Sequence, residues 1–208
     1  MRILYLTLTV LILLGSKNPQ ENRILFNGES LDGWQVIDFE GHGDISVADS
    51  CIIISRGKVI SGIRWIGDFP KVNYEVNLEA RRIEGSDFFC GMTFPVKESF
   101  LTLVLGGWGG SFVGLSSIDG FDAANNQTGI LYHFATGFWY PIKLRVTDEK
   151  IEAWIGSEKI VDFTVNDSYL SLRWEVESSI PFGFTTYRTT GSLRNISYTT
   201  FVRASDLN

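Results

Sequence analysis

YPIKLRVTDEKIEAWIGSEKIVDFTV, residues 140–165, reads as three strands in succession. Ile142, Leu144 and Val146 alternate with Lys143, Arg145 and Thr147, a period of two that sends one row of side chains inward and the other to water. Asp148-Glu149-Lys150 turns the chain into a second strand over residues 151–155, and Gly156-Ser157 turns it into a third over 159–165. Links this short join only antiparallel neighbours, so the segment is a meander.

The same period recurs on both sides of it. In residues 72–81, Val72, Tyr74, Val76, Leu78 and Ala80 alternate with Asn73, Glu75, Asn77, Glu79 and Arg81. Further short strands are expected over 51–55, 58–60, 88–94, 100–105, 112–115, 130–134, 182–187 and 192–202. Helical periodicity is hard to find. About a dozen short strands without a helix indicate an all-β fold, two antiparallel sheets packed as a jelly-roll sandwich of the concanavalin A-like type.

With 208 residues, a 44% hydrophobic and 20% charged composition and no internal repeat, one packed domain over residues 21–208 accommodates the chain. Residues 1–20 read as a signal peptide: Met1-Arg2 supplies the positive end and residues 3–14 form an uncharged apolar run, too short to span a bilayer. Export to the periplasm, cell envelope or medium is the expectation, with no membrane span in the mature chain. The formal net charge of -6, with Lys and Arg scattered, argues against nucleic acid as a partner. Cys51 and Cys90 are too few for a disulfide scaffold and form no zinc-type cluster; two buried thiols are expected, one bridge being the alternative.

Several segments depart from a plain core. Around residues 87–94, Phe88, Cys90, Met92 and Phe94 form an apolar face, opposite Asp87, Phe89, Gly91 and Thr93. Phe89 and Thr93 on such a face would line a sugar groove, with Asp87 as a base. Trp108 stands in Gly106-Gly107-Trp108-Gly109-Gly110, where little local packing holds it, and is a candidate stacking platform for a sugar ring. SSIDGFDAANNQT, residues 116–128, is a long polar stretch of the kind that often carries function. Ser116 and Asn125 are candidate substrate contacts there, and Asp119 and Asp122 candidate ligands for a divalent cation such as calcium, although Asp and Asn are also ordinary turn residues. His133 is a candidate acid or base and Arg188 a candidate partner for a developing oxyanion. No Gly-x-Ser-x-Gly elbow, P-loop or closely spaced acidic pair of a retaining glycosidase is present.

Three stretches together carry a resemblance: RILFNGESLDGW (residues 23–34), the meander from Trp139 to Phe163, and SLRNI (192–196). The chain resembles the 3-keto-disaccharide hydrolase domain family, concanavalin-like jelly rolls common in exported bacterial proteins. The resemblance implies an activity in which a ketone at C3 acidifies the C2 proton of a sugar, a base removes it, the glycosidic oxygen leaves and water adds back. It differs at two places. Where members carry an Asn-Ser-Gly-Ile-like segment ending in Arg, this chain has SDFFCGMTF (86–94), and where members have an acidic-His turn it has TTYRTT (185–190). Three functions follow as expectations: a keto-glycoside-cleaving enzyme, a carbohydrate-binding module, and a structural domain of the envelope.

Overall fold

The computed structural model describes residues 22–201, so the expected signal peptide lies outside the described residues. The strands in chain order are β1 (Asn22–Ile24), β2 (Trp34–Val36), β3 (Ile45–Ala48), β4 (Cys51–Ile54), β5 (Ile60–Trp65), β6 (Tyr74–Gly85), β7 (Cys90–Val96) and β8 (Ser99–Gly106). They continue as β9 (Phe112–Ser116), β10 (Ile130–Leu131), β11 (Tyr140–Val146), β12 (Lys150–Ile155), β13 (Glu158–Thr164), β14 (Gly183–Tyr187) and β15 (Thr189–Thr200). Sheet A runs β13-β12-β11-β6-β15-β4-β3, with β1 paired to β15, and sheet B runs β10-β9-β8-β7-β14-β5-β2. Every pairing is antiparallel. The chain is thus an all-β sandwich of two sheets, with a 3-10 helix at Trp174–Ser179 between β13 and β14.

The meander forms as its alternation requires. Ile142, Leu144 and Val146 are buried against the other sheet, while Lys143 and Arg145 face outward opposite Trp154 and Glu152. Thr147 closes the first turn by accepting the backbone N–H groups of Glu149 and Lys150 on its hydroxyl. The opening motif is structural. Asn27 caps its turn by accepting the N–H groups of Glu29 and Ser30, and the buried Trp34 indole donates to the Leu25 carbonyl at 2.8 Å. Gly33 holds φ at +82°, and a Cβ there would fall 2.4 Å from the Trp65 ring, so only glycine lets the two tryptophans meet edge to face at 5.4 Å.

Three departures from the sequence expectation have local causes. The strand expected over 58–60 begins at Ile60 and runs to Trp65, because Gly62 pairs with Thr185 in register and tolerates the close backbone of β14. The edge strands β2 and β3 are only three and four residues long, too short to show a period. The alternation expected through residues 87–94 breaks between Phe89 and Cys90, which both turn inward. Phe89 turns into the core against Phe134 at 5.0 Å, and Phe88 takes the outer side against Tyr187 at 5.8 Å. Both cysteines are buried free thiols; Cys51 lies near the Asp49 carbonyl, and burial pushes the Cys90 thiol up.

Candidate functional site

The outer face of sheet B is floored by short side chains. Ser116, Thr102, Thr93 and Gly183 stand side by side across β9, β8, β7 and β14, and the next row is Gly114, Val104, Gly91, Thr185 and Gly62. Rows this short leave space above the sheet that longer side chains would fill. The 3-10 helix covers one part of that face: Ser179 donates from Oγ to Thr93 Oγ1 at 2.8 Å, and a Cβ on Gly183 would collide with the Ser179 backbone. The loop after β9 covers another, packing Ala123 and Thr128 onto Gly114.

Between these covers lies a cavity of about 320 Å³ lined by Ile60, Asp87, Phe88, Thr102, Val104, Trp108, Ser116, Arg173, Glu175, Val176 and Tyr187. This size falls at the lower end of small-molecule sites, which run from roughly 300 to 1,000 Å³. Its walls differ. Phe88, Trp108 and Tyr187 supply aromatic surface, Thr102 and Ser116 supply hydroxyls from the floor, and Arg173 and Glu175 supply opposite charges from the 3-10 helix.

Trp108 is held by its loop. Gly106, Trp108, Gly109 and Gly110 all have positive φ, at 79°, 47°, 90° and 105°, a left-handed turn that glycine tolerates and tryptophan adopts at a cost. Two groups brace it. Asp87 accepts the Phe88 N–H on one carboxylate oxygen at 2.8 Å and faces the Gly109 N–H with the other at 3.4 Å, while its own N–H donates to Thr189 Oγ1. Arg82 is buried beneath the loop, donates from Nη2 to the Gly110 carbonyl at 2.7 Å and lies 5.2 Å over the Phe89 ring. Burial lowers its pKa, opposed by the charge of Asp87 and the nearby Tyr140. The indole is thereby presented 40% exposed, with Phe112 edge-on against it.

The charged wall is braced likewise. Arg173 forms two hydrogen bonds to the Glu175 carboxylate, at 2.6 and 3.3 Å, and its other nitrogen lies 3.5 Å from Asp122. The Arg173 hydrogen bonds hold the Glu175 carboxyl below its ordinary range against the opposing effect of desolvation, and the same bonds raise Arg173. At neutral pH the wall is therefore an ion pair, a donor beside an acceptor.

The structure brings Asp87, Trp108 and Ser116 together at the cavity. The other expected residues are placed elsewhere. Phe89 is in the core because the alternation breaks after it, and Thr93 is buried beneath the 3-10 helix, bonded to Thr102 and Ser179. His133 is exposed outside the lining, and Arg188 is exposed beside it, its guanidinium 5.4 Å over the Tyr187 ring. Asp119 accepts the Tyr169 N–H at 2.7 Å, and Asp122 accepts from Asn125 and is ion-paired with Arg173. Among the described residues no three His, Cys, Asp or Glu side chains gather as a metal site, and Asp119 and Asp122 each take partners within the loops. Asn125 acts at one remove, through Asp122 onto Arg173.

Sequence reasoning missed Phe88, Tyr187, Arg173 and Glu175. Tyr187 sat within the closing turn already marked as unusual. The segment around Arg173 has neither strand nor α-helical period, and its one signal was the Arg-Trp-Glu triplet itself. Also missed was Asn126, whose amide donates to the carbonyls of Leu115 and Asp122 and whose oxygen accepts from Thr128, tying the loop together.

Residues 21–199 match the family model of the 3-keto-alpha-glucoside-1,2-lyase-like domain. The chain belongs to this family. Most of the lyase-like domain is therefore the sandwich described above, from β1 to the end of β15. No curated protein matches the chain. Solved structures similar to this lyase-like domain include a galectin-like-fold protein of unknown function from Bacillus subtilis, with a TM-score of 0.62, 12% identity, and coverage of 88% of this chain and 96% of that one. A candidate glycosyl hydrolase from Parabacteroides distasonis is similar at a TM-score of 0.54 and 15% identity, covering 87% of this chain and 94% of the other. A carbohydrate-binding module of the CBM66 type from Bacillus subtilis is similar at 0.54 and 10%, covering 81% and 96%. At these identities the likeness is one of fold.

Proposed function

We propose that the chain is a carbohydrate-recognising protein whose cavity on sheet B holds about one or two sugar rings. The observation that carries this reading is the composition of the walls: Trp108 on its braced loop, Phe88 and Tyr187, set over Thr102 and Ser116 and facing the Arg173–Glu175 pair. Sugar rings present C–H faces to aromatic surfaces and hydroxyls to paired donors and acceptors, and this cavity offers both. Membership of the 3-keto-alpha-glucoside-1,2-lyase-like family supports a saccharide as the ligand. Titration calorimetry with a panel of mono- and disaccharides tests it. Saturable binding that Trp108→Ala weakens is expected; a panel without any binding would overturn the reading.

Family membership and two carboxylates in the cavity, Asp87 and Glu175, favour a second reading, a lyase or hydrolase of 3-keto-glycosides. A base near C2 would abstract the proton and the glycosidic oxygen would leave. Binding alone stands first because Asp87 is engaged in bracing the Trp108 loop and Arg173 holds the Glu175 carboxyl below its ordinary range, which weakens Glu175 as a base. Incubation with 3-keto-glucosides separates the two: turnover abolished by Asp87→Asn or Glu175→Gln establishes the enzyme, and binding without turnover leaves recognition. Export, read from residues 1–20, is part of the same proposal and is tested by N-terminal sequencing of protein recovered outside the cytoplasm.

A further inference from the structure

The 3-10 helix that forms the charged wall of the cavity carries a tryptophan that the fold does not use. Arg173, Glu175 and Val176 turn their side chains to the cavity, whereas Trp174 between them is 81% exposed. Arg173 caps the helix and Trp174 is its first residue, so Trp174 is adjacent in sequence to both charged residues of the cavity wall. No aromatic or cationic partner for its ring is found among the described residues. Tyr169 and Phe121, exposed at 68% and 58%, stand on two segments joined by the Ile118–Leu170 bridge.

These rings are carried on braced backbone. Asp119 and Tyr169 are joined by the Asp119 N–H to the Tyr169 carbonyl at 2.8 Å and by the Tyr169 N–H to the Asp119 carboxylate at 2.7 Å. Ile118 and Phe121 exchange two backbone hydrogen bonds, at 3.0 and 2.9 Å. Asp122, next to Phe121, reaches Arg173 at 3.5 Å and so ties this segment to the cavity wall. Backbone that is already ordered loses little freedom when a ligand lies on its side chains, and large exposed apolar surface in a folded domain commonly marks a binding surface. The rings are interspersed with Asp119, Asp122, Arg173 and Glu175, which suits a chain of hydroxyl-bearing rings better than an aliphatic partner surface.

We propose that the ligand is an oligosaccharide longer than the cavity, one end seated beside Trp108 and the chain continuing over the 3-10 helix, with Trp174 as the stacking platform of a second subsite and Tyr169 beyond it. This rests on the carbohydrate reading of the cavity and deepens it.

The test uses the full chain and length ladders of cello-, malto-, β-1,3-gluco- and xylo-oligosaccharides, from two to six rings, read by titration calorimetry alongside a thermal melt. In one ladder, affinity is expected to rise about tenfold with length. Trp174→Ala should flatten that rise to within about twofold while leaving the shortest ligand and the melt unchanged, and Trp108→Ala should weaken every length. Tyr169→Ala should lower only the longest members. Binding of the short ligands with no dependence on length, or a length dependence that Trp174→Ala leaves intact, would overturn the second subsite and spare the cavity. Absence of binding in every ladder would overturn the cavity reading and this one with it. Light scattering adds one more outcome: a dimer that Trp174→Ala dissociates would assign the ring to self-association and overturn the proposal.

Discussion

The outer faces of the two sheets are built from the same alternation and reach opposite results. On sheet A the outward side chains are long and satisfy one another: Arg145 pairs with Glu75 at 2.9 Å, Lys159 with Glu152 and Lys150 with Asp162 at 2.6 Å, and Arg194 with Glu79. Its tryptophans are covered by cations, Trp139 by Arg81 and Arg194 at 4.5 and 4.2 Å, Trp154 by Lys143 and Lys159 at 4.1 and 5.2 Å. On sheet B the outward floor is mostly glycine, serine and threonine with Val104 among them, and Trp108 has no cation over its ring among the described residues. Alternation decides that a face is outward. Side-chain length and self-pairing decide whether that face is finished or open to a ligand.

The largest effect should come from filling the open floor. A Cβ at Gly91 would meet Thr185 Oγ1 at 2.8 Å and the Phe88 ring at 3.1 Å. Gly91→Val is expected to abolish saccharide binding and to lower stability by about 1–3 kcal/mol, the usual range for overpacking. Calorimetry and a denaturant melt read both, and a variant that binds normally would place the ligand elsewhere.

Removing tryptophans from the two faces should separate them next. Trp108→Ala is expected to weaken binding at least tenfold, about 1.4 kcal/mol, and Trp154→Ala to leave it unchanged. Equal losses from the two variants would erase the distinction between the faces.

Acid offers a smaller, graded probe. Because Arg173 holds the Glu175 carboxyl below its ordinary range, the ion pair is complete above about pH 4.3 and its contribution is lost only as pH falls below that value, through the depressed folded-state pKa. Binding is expected to fall in that window and to lose this step in Glu175→Gln. A step centred near pH 6.5 instead would implicate a histidine, and both histidines lie outside the cavity. The smallest effect belongs to sheet A: breaking the half-exposed Arg194–Glu79 pair with Arg194→Met should cost at most about 1 kcal/mol in a melt and nothing in affinity.

How much of this was legible in the sequence follows the same division. Residues 72–81 and 140–165 announced sheet A because its outward positions are charged, and charge against aliphatic is the strongest form of the two-residue signal. Sheet B is apolar or small on both faces, as in the fully buried β7, so its strands were found but their faces were not. That is why Phe89 was assigned to the groove and Phe88 to the core, the reverse of the structure. Asp87, Trp108 and Ser116, which line the cavity, stand out in the sequence by local chemistry. Arg173 and Glu175 do not, since a short 3-10 helix has no periodic signature and reaches the cavity only through the tertiary fold. The partners of Asp119 and Asp122, the Tyr169 N–H and the Arg173 guanidinium, come from segments distant in sequence and are not disclosed by spacing.

The six tryptophans allow one measurement to interrogate the core and both faces together. Indole N–H resonances of the protein, followed by NMR during titration with the tightest-binding oligosaccharide, report Trp34 and Trp65 in the core, Trp139 and Trp154 on sheet A, and Trp108 and Trp174 around the cavity. Saturable shifts of Trp108 and Trp174 with the other four still are the predicted result. Shifts of Trp139 or Trp154 with Trp108 unmoved would contradict the assignment of the site to sheet B.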